Sequence, residues 1–314
     1  MKKSITIATR ASPLALAQTK AISEALLAHH PELQIEILPM VSEGDKNLSL
    51  QLNAGGGKGL FTKELENSLA SGQADLAVHS MKDVPMYTRK DFFVTSALKR
   101  EASYDVLVTP LATTSQIFFS DCKIGTSSLR RQTQLKKSFP NATVVPIRGN
   151  LGTRLAQLDK KQVDAITLAQ AGINRLSLSL CTHPLPLENH IPSPGQGIIA
   201  IETRLDDSSI KALIIPLQDP DTVKAYNYEE YINKNLEGDC LAPIGIYASM
   251  ISPDLFSLST YIGDLDNHDS FTHTSTIRTS QESNDLDSHL ITLHSLGAKS
   301  LIQKAKNFLA NSHV

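Results

Sequence analysis

The chain has 314 residues, 41% of them hydrophobic and 20% charged, which allows two or three domains and excludes a disordered protein. Its formal net charge is -2, and no apolar run approaches the roughly 20 residues that span a bilayer, so we expect neither nucleic acid nor a membrane as partner. The three cysteines cannot all pair and lack metal-ligand spacing, so we expect reduced thiols and no metal site. The basic first residues precede an apolar stretch too short for a signal peptide, which predicts a cytoplasmic protein.

Short β-branched runs alternate with helical patterns over the first two-thirds of the chain, which predicts an α/β fold with mainly parallel sheets. Residues 5–8 predict the first strand, and Ser12 with Pro13 predicts the N-cap and first turn of the next helix. The apolar residues of that helix recur at helical spacing, which predicts a buried stripe. The stripe consists of Leu14, Ala17, Ala21 and Ala25. Further strands are predicted at residues 35–41, 75–79, 123–125, 144–147, 164–168 and 198–201.

The composition changes near residue 220, where the chain becomes rich in Ser, Thr, Asp and His. This change predicts a separate small α/β domain, which ends in a helix at about residues 298–309.

Six arginines follow predicted strands or lie near the starts of the helices after them. Ligands of open α/β sheets bind beyond the carboxyl ends of the strands, where helix N-termini and guanidinium groups favour anions. The pattern therefore predicts a cleft for a ligand with several negative charges, although a solvated ion pair is the alternative for any single arginine. The six are Arg10, Arg130, Arg131, Arg148, Arg154 and Arg175.

Hydroxyl side chains precede the arginine pair at a predicted strand-to-helix turn. Thr126, Ser127 and Ser128 offer hydroxyls and backbone amides that could bind an anion, and simple N-capping explains one of the hydroxyls equally well. The glycine cluster at residues 55–59 contains Lys58 but lacks the spacing of a phosphate-binding P-loop.

Two further residues lie in sequence contexts that suggest a catalytic or covalent role. Asp83 follows Lys82 directly after a predicted strand and is a candidate acid/base group, with an ordinary surface turn as the alternative. Cys240 lies among glycine and proline residues that indicate a loop, so its thiol is a candidate point of covalent attachment. A buried structural cysteine is the alternative.

Taken together and in order, the motifs of this chain resemble those of the porphobilinogen deaminase family. The resemblance extends from about residue 4 to residue 247, and a series of long motifs is far more specific than any single one. The matching stretches are residues 8–16, 56–61, 79–85, 125–132, 148–154 and 236–240.

The resemblance implies two α/β domains like the lobes of type II periplasmic binding proteins and a small C-terminal α+β domain. The expected domains are residues 1–99 with 198–217, residues 100–197, and residues 218–314, the last carrying the cofactor cysteine. The implied activity is that of a monomeric transferase of haem biosynthesis. It joins four porphobilinogen molecules head to tail with loss of ammonia and releases hydroxymethylbilane by hydrolysis.

The resemblance also implies a dipyrromethane cofactor, held by a thioether to Cys240, and a catalytic Asp83 that helps to expel ammonia. The implied cofactor contacts are Lys58, Ser80, Lys82, Asp83, Thr126, Ser127, Ser128, Arg130, Arg131 and Arg148. The implied substrate contacts are Arg10, Ser12, Arg148, Arg154 and Arg175.

The chain departs from the family pattern beside the attachment site. Asn235 and Asp239 stand where the family commonly has arginine and glycine. The loss of a cation and the gain of a carboxylate would weaken the hold on an acidic cofactor. A non-catalytic, two-lobed anion-binding protein is the alternative function, since it explains the arginines but needs neither Asp83 nor Cys240.

Overall fold

The computed structural model describes residues 2–41, 62–85, 90–110, 121–238, 242–266 and 269–311. Two predicted site residues, Lys58 and Cys240, lie outside the described residues, as does Asp239. The chain divides into two compact units, Met1–Glu101 with Gly197–Tyr226 and Ala102–Gln196 with Asn227–Val314. None of the described helices has the length and apolar character needed to cross a membrane.

The described secondary structure alternates strands and helices as the sequence predicts. The strands in chain order are β1 (Ser4–Arg10), β2 (Gln34–Met40), β3 (Leu76–Ser80), β4 (Phe92–Ala97), β5 (Asp105–Thr109), β6 (Lys123–Gly125), β7 (Thr143–Val145), β8 (Ala165–Ala169), β9 (Cys181–Pro184), β10 (Ile199–Arg204), β11 (Ile244–Ser252), β12 (Leu255–Ile262) and β13 (Phe271–Arg278). The helices are α1 (Pro13–His29), α2 (Lys63–Ala70), α3 (Leu129–Ser138), α4 (Leu151–Asp159), α5 (Gln170–Arg175), α6 (Ser208–Ile214), α7 (Pro220–Asn235), α8 (Glu282–Ser295) and α9 (Ala298–Asn311). Short 3-10 turns lie at Met81–Asp83, Ile215–Leu217 and Thr279–Gln281.

The first unit contains a sheet with strand order β2-β1-β3-β10-β4. β1 pairs in parallel with β2 and β3, whereas β10 runs antiparallel to both of its neighbours, so four strands point one way and one points the other. Ile5 and Ile7 of β1 pack against Ile22 and Leu26 of α1 in the core of this unit. The predicted first strand and the helix that begins at Ser12 and Pro13 are both confirmed.

The predicted stripe of α1 is offset by one position from the most buried face. The buried residues are Ala15, Gln18, Thr19, Ile22 and Leu26, whereas the four predicted residues are half-buried, two of which, Ala21 and Ala25, still pack against the core. The helix turns two polar residues, Gln18 and Thr19, toward the core, so a search for apolar periodicity selects the neighbouring face.

The second unit contains a sheet with the same arrangement, in the strand order β7-β6-β8-β5-β9. β6 is parallel to β7 and β8, and β5 is antiparallel to β8 and β9, so four strands again share one direction. In each unit the antiparallel strand is the first strand after the chain passes from one unit to the other. β5 follows the passage into the second unit at residue 102, and β10 follows the return to the first unit at residue 197. The carboxyl ends of the parallel strands and the start of the antiparallel strand therefore lie at one edge of each sheet.

The C-terminal part of the second unit is a small α+β arrangement. β11, β12 and β13 form an antiparallel sheet, and α8 and α9 complete this part of the chain. The predicted closing helix corresponds to α9. The mixed α/β class, with two five-stranded sheets and a small C-terminal sheet, agrees with the expected fold. The proposed three-domain boundaries remain a prediction.

Two buried histidines predict a loss of stability at mildly acidic pH. His289 bonds through Nε2 to Thr260 and through Nδ1 to Ser275, and His190 bonds to Ser138. Burial lowers the pKa of His289 to about 3 and that of His190 to about 4. Both pKa values lie below that of a histidine in the unfolded chain. The folded state is therefore favoured in full above about pH 6.5, and its free energy of unfolding decreases as the pH falls below that value. We expect the free energy of unfolding to fall by about 1.4 kcal/mol per pH unit for each histidine between pH 6.5 and pH 4.

Urea unfolding at pH 7 and pH 5 tests this prediction with a His289→Gln variant, which should show a shallower loss. His294 is exposed, so His294→Gln is the matched control. Equal losses in the His289 and His294 variants would contradict the assignment.

Candidate functional site

Three predicted site residues lie at one edge of the first sheet. Arg10 ends β1 and Ser80 ends β3, and these two strands run in parallel. Ser12 is the N-cap of α1, and its hydroxyl accepts a hydrogen bond from the Ala15 N–H at 3.3 Å. Because α1 begins at the carboxyl edge of the sheet, its N-terminal N–H groups add positive potential there.

Gln18 also belongs to this edge, although the sequence analysis missed it. Its side chain is buried, and Nε2 donates to the Ser80 hydroxyl at 2.9 Å. Gln18 thereby fixes Ser80 relative to α1. A polar residue within a predicted helix was the only signal in the sequence, and surface exposure explains such a residue equally well.

Asp83 lies on a short turn that continues directly from β3. The turn, Met81–Asp83, is held by Met81, whose side chain is buried against Ile198 and Ala200. Met81 N–H also donates to the carbonyl of Ile198 at 3.0 Å. Lys82 is half-buried and Asp83 is exposed. The turn therefore presents a carboxylate that can exchange protons with a ligand or with water.

A buried pair supports the same strand. His79 Nε2 lies 3.0 Å from Glu202 Oε2, and both side chains are almost fully buried between β3 and β10. Since residues on opposite strands reach each other here, the pair ties the strand that precedes Asp83 to the antiparallel strand beside it.

The hydroxyl cluster of the second unit lies at the end of β6. Ser127 donates to the carbonyl of Ile147 at 2.6 Å, and the Ser128 hydroxyl accepts from the Arg131 N–H at 3.5 Å. The Thr126 hydroxyl accepts from the Ser128 N–H at 3.3 Å. N-capping of α3 by Ser128 is thus confirmed, and the three residues form the strand-to-helix turn that the sequence predicts.

The arginine pair of α3 is buried around one carboxylate. Asp105 Oδ2 accepts from Arg130 at 2.9 Å, and Oδ1 accepts from Arg131 at 2.7 Å and from Gln196 Nε2 at 2.9 Å. Burial by itself would raise the pKa of Asp105, but the two guanidinium groups outweigh it and hold that pKa well below its usual range. One carboxylate thus offsets half of the positive charge of the pair.

The other N–H groups of Arg131 differ in whether they have an acceptor. Arg131 Nη1 donates to the carbonyl of Thr167 at 3.1 Å, whereas its Nε is buried and has no hydrogen-bond partner among the described residues. A buried N–H without an acceptor is costly, so this atom fits a carboxylate supplied by a ligand.

The remaining arginines of the second unit surround the β7–α4 turn and α5. Arg154 Nε donates to the Gly149 carbonyl at 2.9 Å, and Arg148, one residue before that glycine, is exposed. Asn150 caps α4 by accepting from the Thr153 N–H at 2.9 Å. Arg175 differs from the expectation, because α5 is only six residues long and Arg175 lies at its C-terminal end.

Substitution of Gly149 is expected to disturb the turn between β7 and α4. Gly149 has φ 104°, and an added Cβ would lie 2.7 Å from two carbon atoms of Thr153. We expect Gly149→Ala to destabilise the protein by roughly 1–3 kcal/mol, since the added Cβ displaces Thr153 and strains the backbone that accepts the Arg154 hydrogen bond. Gly152→Ala is the matched control, because its Cβ would meet only Asn150 Oδ1 at 3.5 Å within α4. Thermal melting checks both variants, and equal melting temperatures would contradict the predicted crowding at Gly149.

The edge of the first sheet therefore brings together Arg10, Ser12, Ser80, Lys82 and Asp83. The edge of the second brings together the hydroxyl turn and four of the five arginines of that unit, namely Thr126, Ser127, Ser128, Arg130, Arg131, Arg148 and Arg154. Asn235, one of the two departures noted in the sequence analysis, ends α7 and donates to the Tyr231 carbonyl at 2.8 Å.

A family model and a relative of known name both match this chain. The family model described as "Porphobilinogen deaminase, dipyromethane cofactor binding domain" matches residues 5–212. A porphobilinogen deaminase of Thiobacillus denitrificans is 44% identical over 246 residues, which is 78% of this chain and 80% of that protein. Among solved structures, the chain is similar to a probable amino-acid ABC transporter extracellular-binding protein of Bacillus subtilis, with TM-score 0.43, 11% identity, and 71% and 95% of the two chains covered. It is also similar to the BvgS periplasmic VFT2 domain of Bordetella pertussis, with TM-score 0.40, 17% identity, and 67% and 85% covered.

Proposed function

Because the chain belongs to the porphobilinogen deaminase family, we propose that it joins four porphobilinogen molecules head to tail with loss of ammonia and releases hydroxymethylbilane by hydrolysis. The observation that carries this proposal is the family match over residues 5–212, which belongs to a dipyrromethane-binding domain. The match does not favour the alternative of a non-catalytic anion-binding protein. The proposed enzyme is a cytoplasmic, monomeric transferase of haem biosynthesis.

Dipyrromethane, the cofactor of this family, carries acetate and propionate groups, and the described residues fit such a molecule. The unpartnered Nε of Arg131 supports this fit, since it is a buried donor that a carboxylate would satisfy. When bound, the cofactor supplies the pyrrole carbon to which the first substrate unit is joined. We assign its covalent attachment to the Cys240 thiol. The other assigned contacts are Lys58, Ser80, Lys82, Thr126, Ser127, Ser128, Arg130 and Arg148.

Asp83 has two proposed tasks. Each condensation breaks the bond between the aminomethyl carbon and its nitrogen, and the departing amine needs a proton, which the Asp83 carboxylic acid donates. The resulting carboxylate then stabilises the positive charge left on the pyrrole and takes up the proton released when the new carbon–carbon bond forms. Its exposed position on the Met81–Asp83 turn supports both transfers.

Four arginines and Ser12 hold the carboxylates of the substrate and the growing chain. Guanidinium groups bind carboxylates in a bidentate manner, so each added porphobilinogen unit, with two carboxylates, needs such partners. We assign this task to Arg10, Ser12, Arg148, Arg154 and Arg175.

Intact mass of the denatured protein tests the proposal. We expect an excess mass equal to one dipyrromethane, absent from Cys240→Ser and present in Cys181→Ser, the control at a second cysteine. A wild-type protein that keeps its unmodified mass after incubation with porphobilinogen, and forms no hydroxymethylbilane, would overturn it.

A further inference from the structure

We propose that His79 and Glu202 are positioning residues, which fix the register of β3 against β10 and thereby hold the turn that carries Asp83. The proposal rests on the proposed function in one respect, because it takes Asp83 as the group that transfers protons. His79 Nε2 lies 3.0 Å from Glu202 Oε2, and the two side chains are only 4% and 2% exposed. Stability alone does not explain such a pair, because replacing a buried ion pair by apolar residues of similar volume is often neutral or stabilising.

The carboxyl end of β3 depends on β10 for its position. In the described sheet, β1 pairs with β3 at Leu76 and Ala77, whereas β10 pairs with every residue of β3 from Leu76 to Ser80. Beyond Ala77, the described backbone pairing of β3 is therefore with β10. The register between these two strands decides where Ser80 lies, and with it the turn that follows.

The polar pair is compatible with one register. His79 lies opposite Ala200 and Glu202 lies opposite Ala77, so the two side chains meet diagonally across the strands on one face of the sheet. A slip of β10 by one residue would turn Glu202 to the other face, because side chains alternate along a strand. Such a slip would leave His79 and Glu202 buried without each other, which is costly. The pair therefore selects the observed register.

The same register places the anchor of the Asp83 turn. Met81 is buried against Ile198 and Ala200, and Ala200 is the β10 residue opposite His79. The Met81 N–H also donates to the Ile198 carbonyl at 3.0 Å. A shift of β10 would move both contacts, so the pair acts on Asp83 through β10 and Met81.

The second oxygen of Glu202 also argues against a role in stability alone. Glu202 Oε1 is buried and has no hydrogen-bond partner among the described residues. A buried acceptor without a donor lowers the stability of the folded state, and an apolar side chain at this position would remove that cost. Stability and positioning can therefore be separated by experiment.

The double variant His79→Phe with Glu202→Leu separates the two roles in the holoprotein. We expect it to keep or raise the wild-type melting temperature, because two apolar side chains replace a buried polar pair. It should lower kcat by about ten- to a hundredfold, because Asp83 is held less precisely. KM for porphobilinogen should stay within about twofold, and the dipyrromethane mass should remain. Hydrogen exchange should become faster in peptides covering residues 78–84, where the register is no longer fixed.

Thr203→Val is the matched control on the same strand. Thr203 is buried on β10, and its hydroxyl donates to the Asp75 carbonyl at 3.0 Å, just before β3 begins. This variant also removes a buried polar contact of β10, but at the end of β3 remote from Asp83. It should keep the wild-type kcat.

A double variant with wild-type kcat would overturn the proposal, and so would a loss of kcat that appears only together with a lower melting temperature. If the double variant does not fold, two single variants decide. Glu202→Gln keeps the length and a hydrogen bond to His79 and should retain most of the kcat, whereas Glu202→Asp is shorter by one carbon and should lower it. Equal kcat values in these two variants would overturn the proposal. Failure of the proposed function would be seen separately, as a wild-type protein that lacks the dipyrromethane mass and forms no hydroxymethylbilane.

Discussion

Replacing Asp83 by asparagine is expected to lower kcat by about a hundred- to ten-thousandfold, because the amide can neither donate a proton to the departing amine nor carry a negative charge. Asp83 is exposed on a turn that Met81 anchors, so the substitution should leave the melting temperature unchanged. The cofactor mass on the denatured protein should also remain. Steady-state kinetics, melting and intact mass together check this result.

Two variants control the Asp83 experiment. Asp206 is exposed in the same unit, so Asp206→Asn should retain wild-type kcat. Asp83→Glu keeps the carboxyl group but moves it by one carbon, so it should recover part of the activity. An Asp83→Asn protein that retains more than about a tenth of wild-type kcat would remove Asp83 from the proton transfers.

The largest expected loss of stability follows from Asp105→Asn. The asparagine leaves two buried guanidinium groups without a counter-charge, and breaking such a buried pair costs about 3–5 kcal/mol of unfolding free energy. Asp285→Asn is the matched control, because Asp285 pairs with Arg278 at 2.6 Å on the surface and should lose far less. Equal losses measured by urea unfolding at pH 7 would show that burial of the Asp105 cluster does not matter.

The pH dependence of this difference has a definite sign. The pKa of Asp105 is lowered in the folded protein, so its contribution is complete above the unfolded value of roughly 3.9 and declines only as pH falls below it. The difference in the free energy of unfolding between wild type and Asp105→Asn should therefore stay constant from pH 7 to about pH 5 and become smaller below about pH 4. The loss expected from His289 begins at higher pH and affects both proteins equally. Asp105 raises the pKa of His190, so the loss from His190 begins at the same pH in both proteins but continues to lower pH in Asp105→Asn.

Local patterns predicted the elements of the fold but not the partners of buried polar groups. The cap at Ser12 and the strand of residues 5–8 depend on neighbouring residues and were predicted correctly. Asp105, Gln196 and Gln18 were missed, because their partners lie 25, 91 and 62 positions away in the chain. A single sequence contains no signal for such pairings, whose residues meet only once the sheets have formed.

The site residues divide in the same way. Asp83 and the hydroxyl turn at Thr126–Ser128 lie where strand ends are predicted, since the position of a strand end follows from local sequence. The different surroundings of Arg130 and Arg131 could not be predicted, because adjacent residues on a helix point in directions about 100° apart. Their environments depend on Asp105 and Ile191, which come from other parts of the chain.

The position of β10 has a consequence for the order in which the protein can fold during synthesis. β10 lies between β3 and β4, so a nascent chain that has emerged only as far as residue 190 holds these two strands without the one that joins them. The other five-stranded sheet is built entirely from residues 105–184 and can close earlier on the ribosome. The half of the protein translated first is thus completed later, and until then its exposed strand edges are a site at which chaperones can bind.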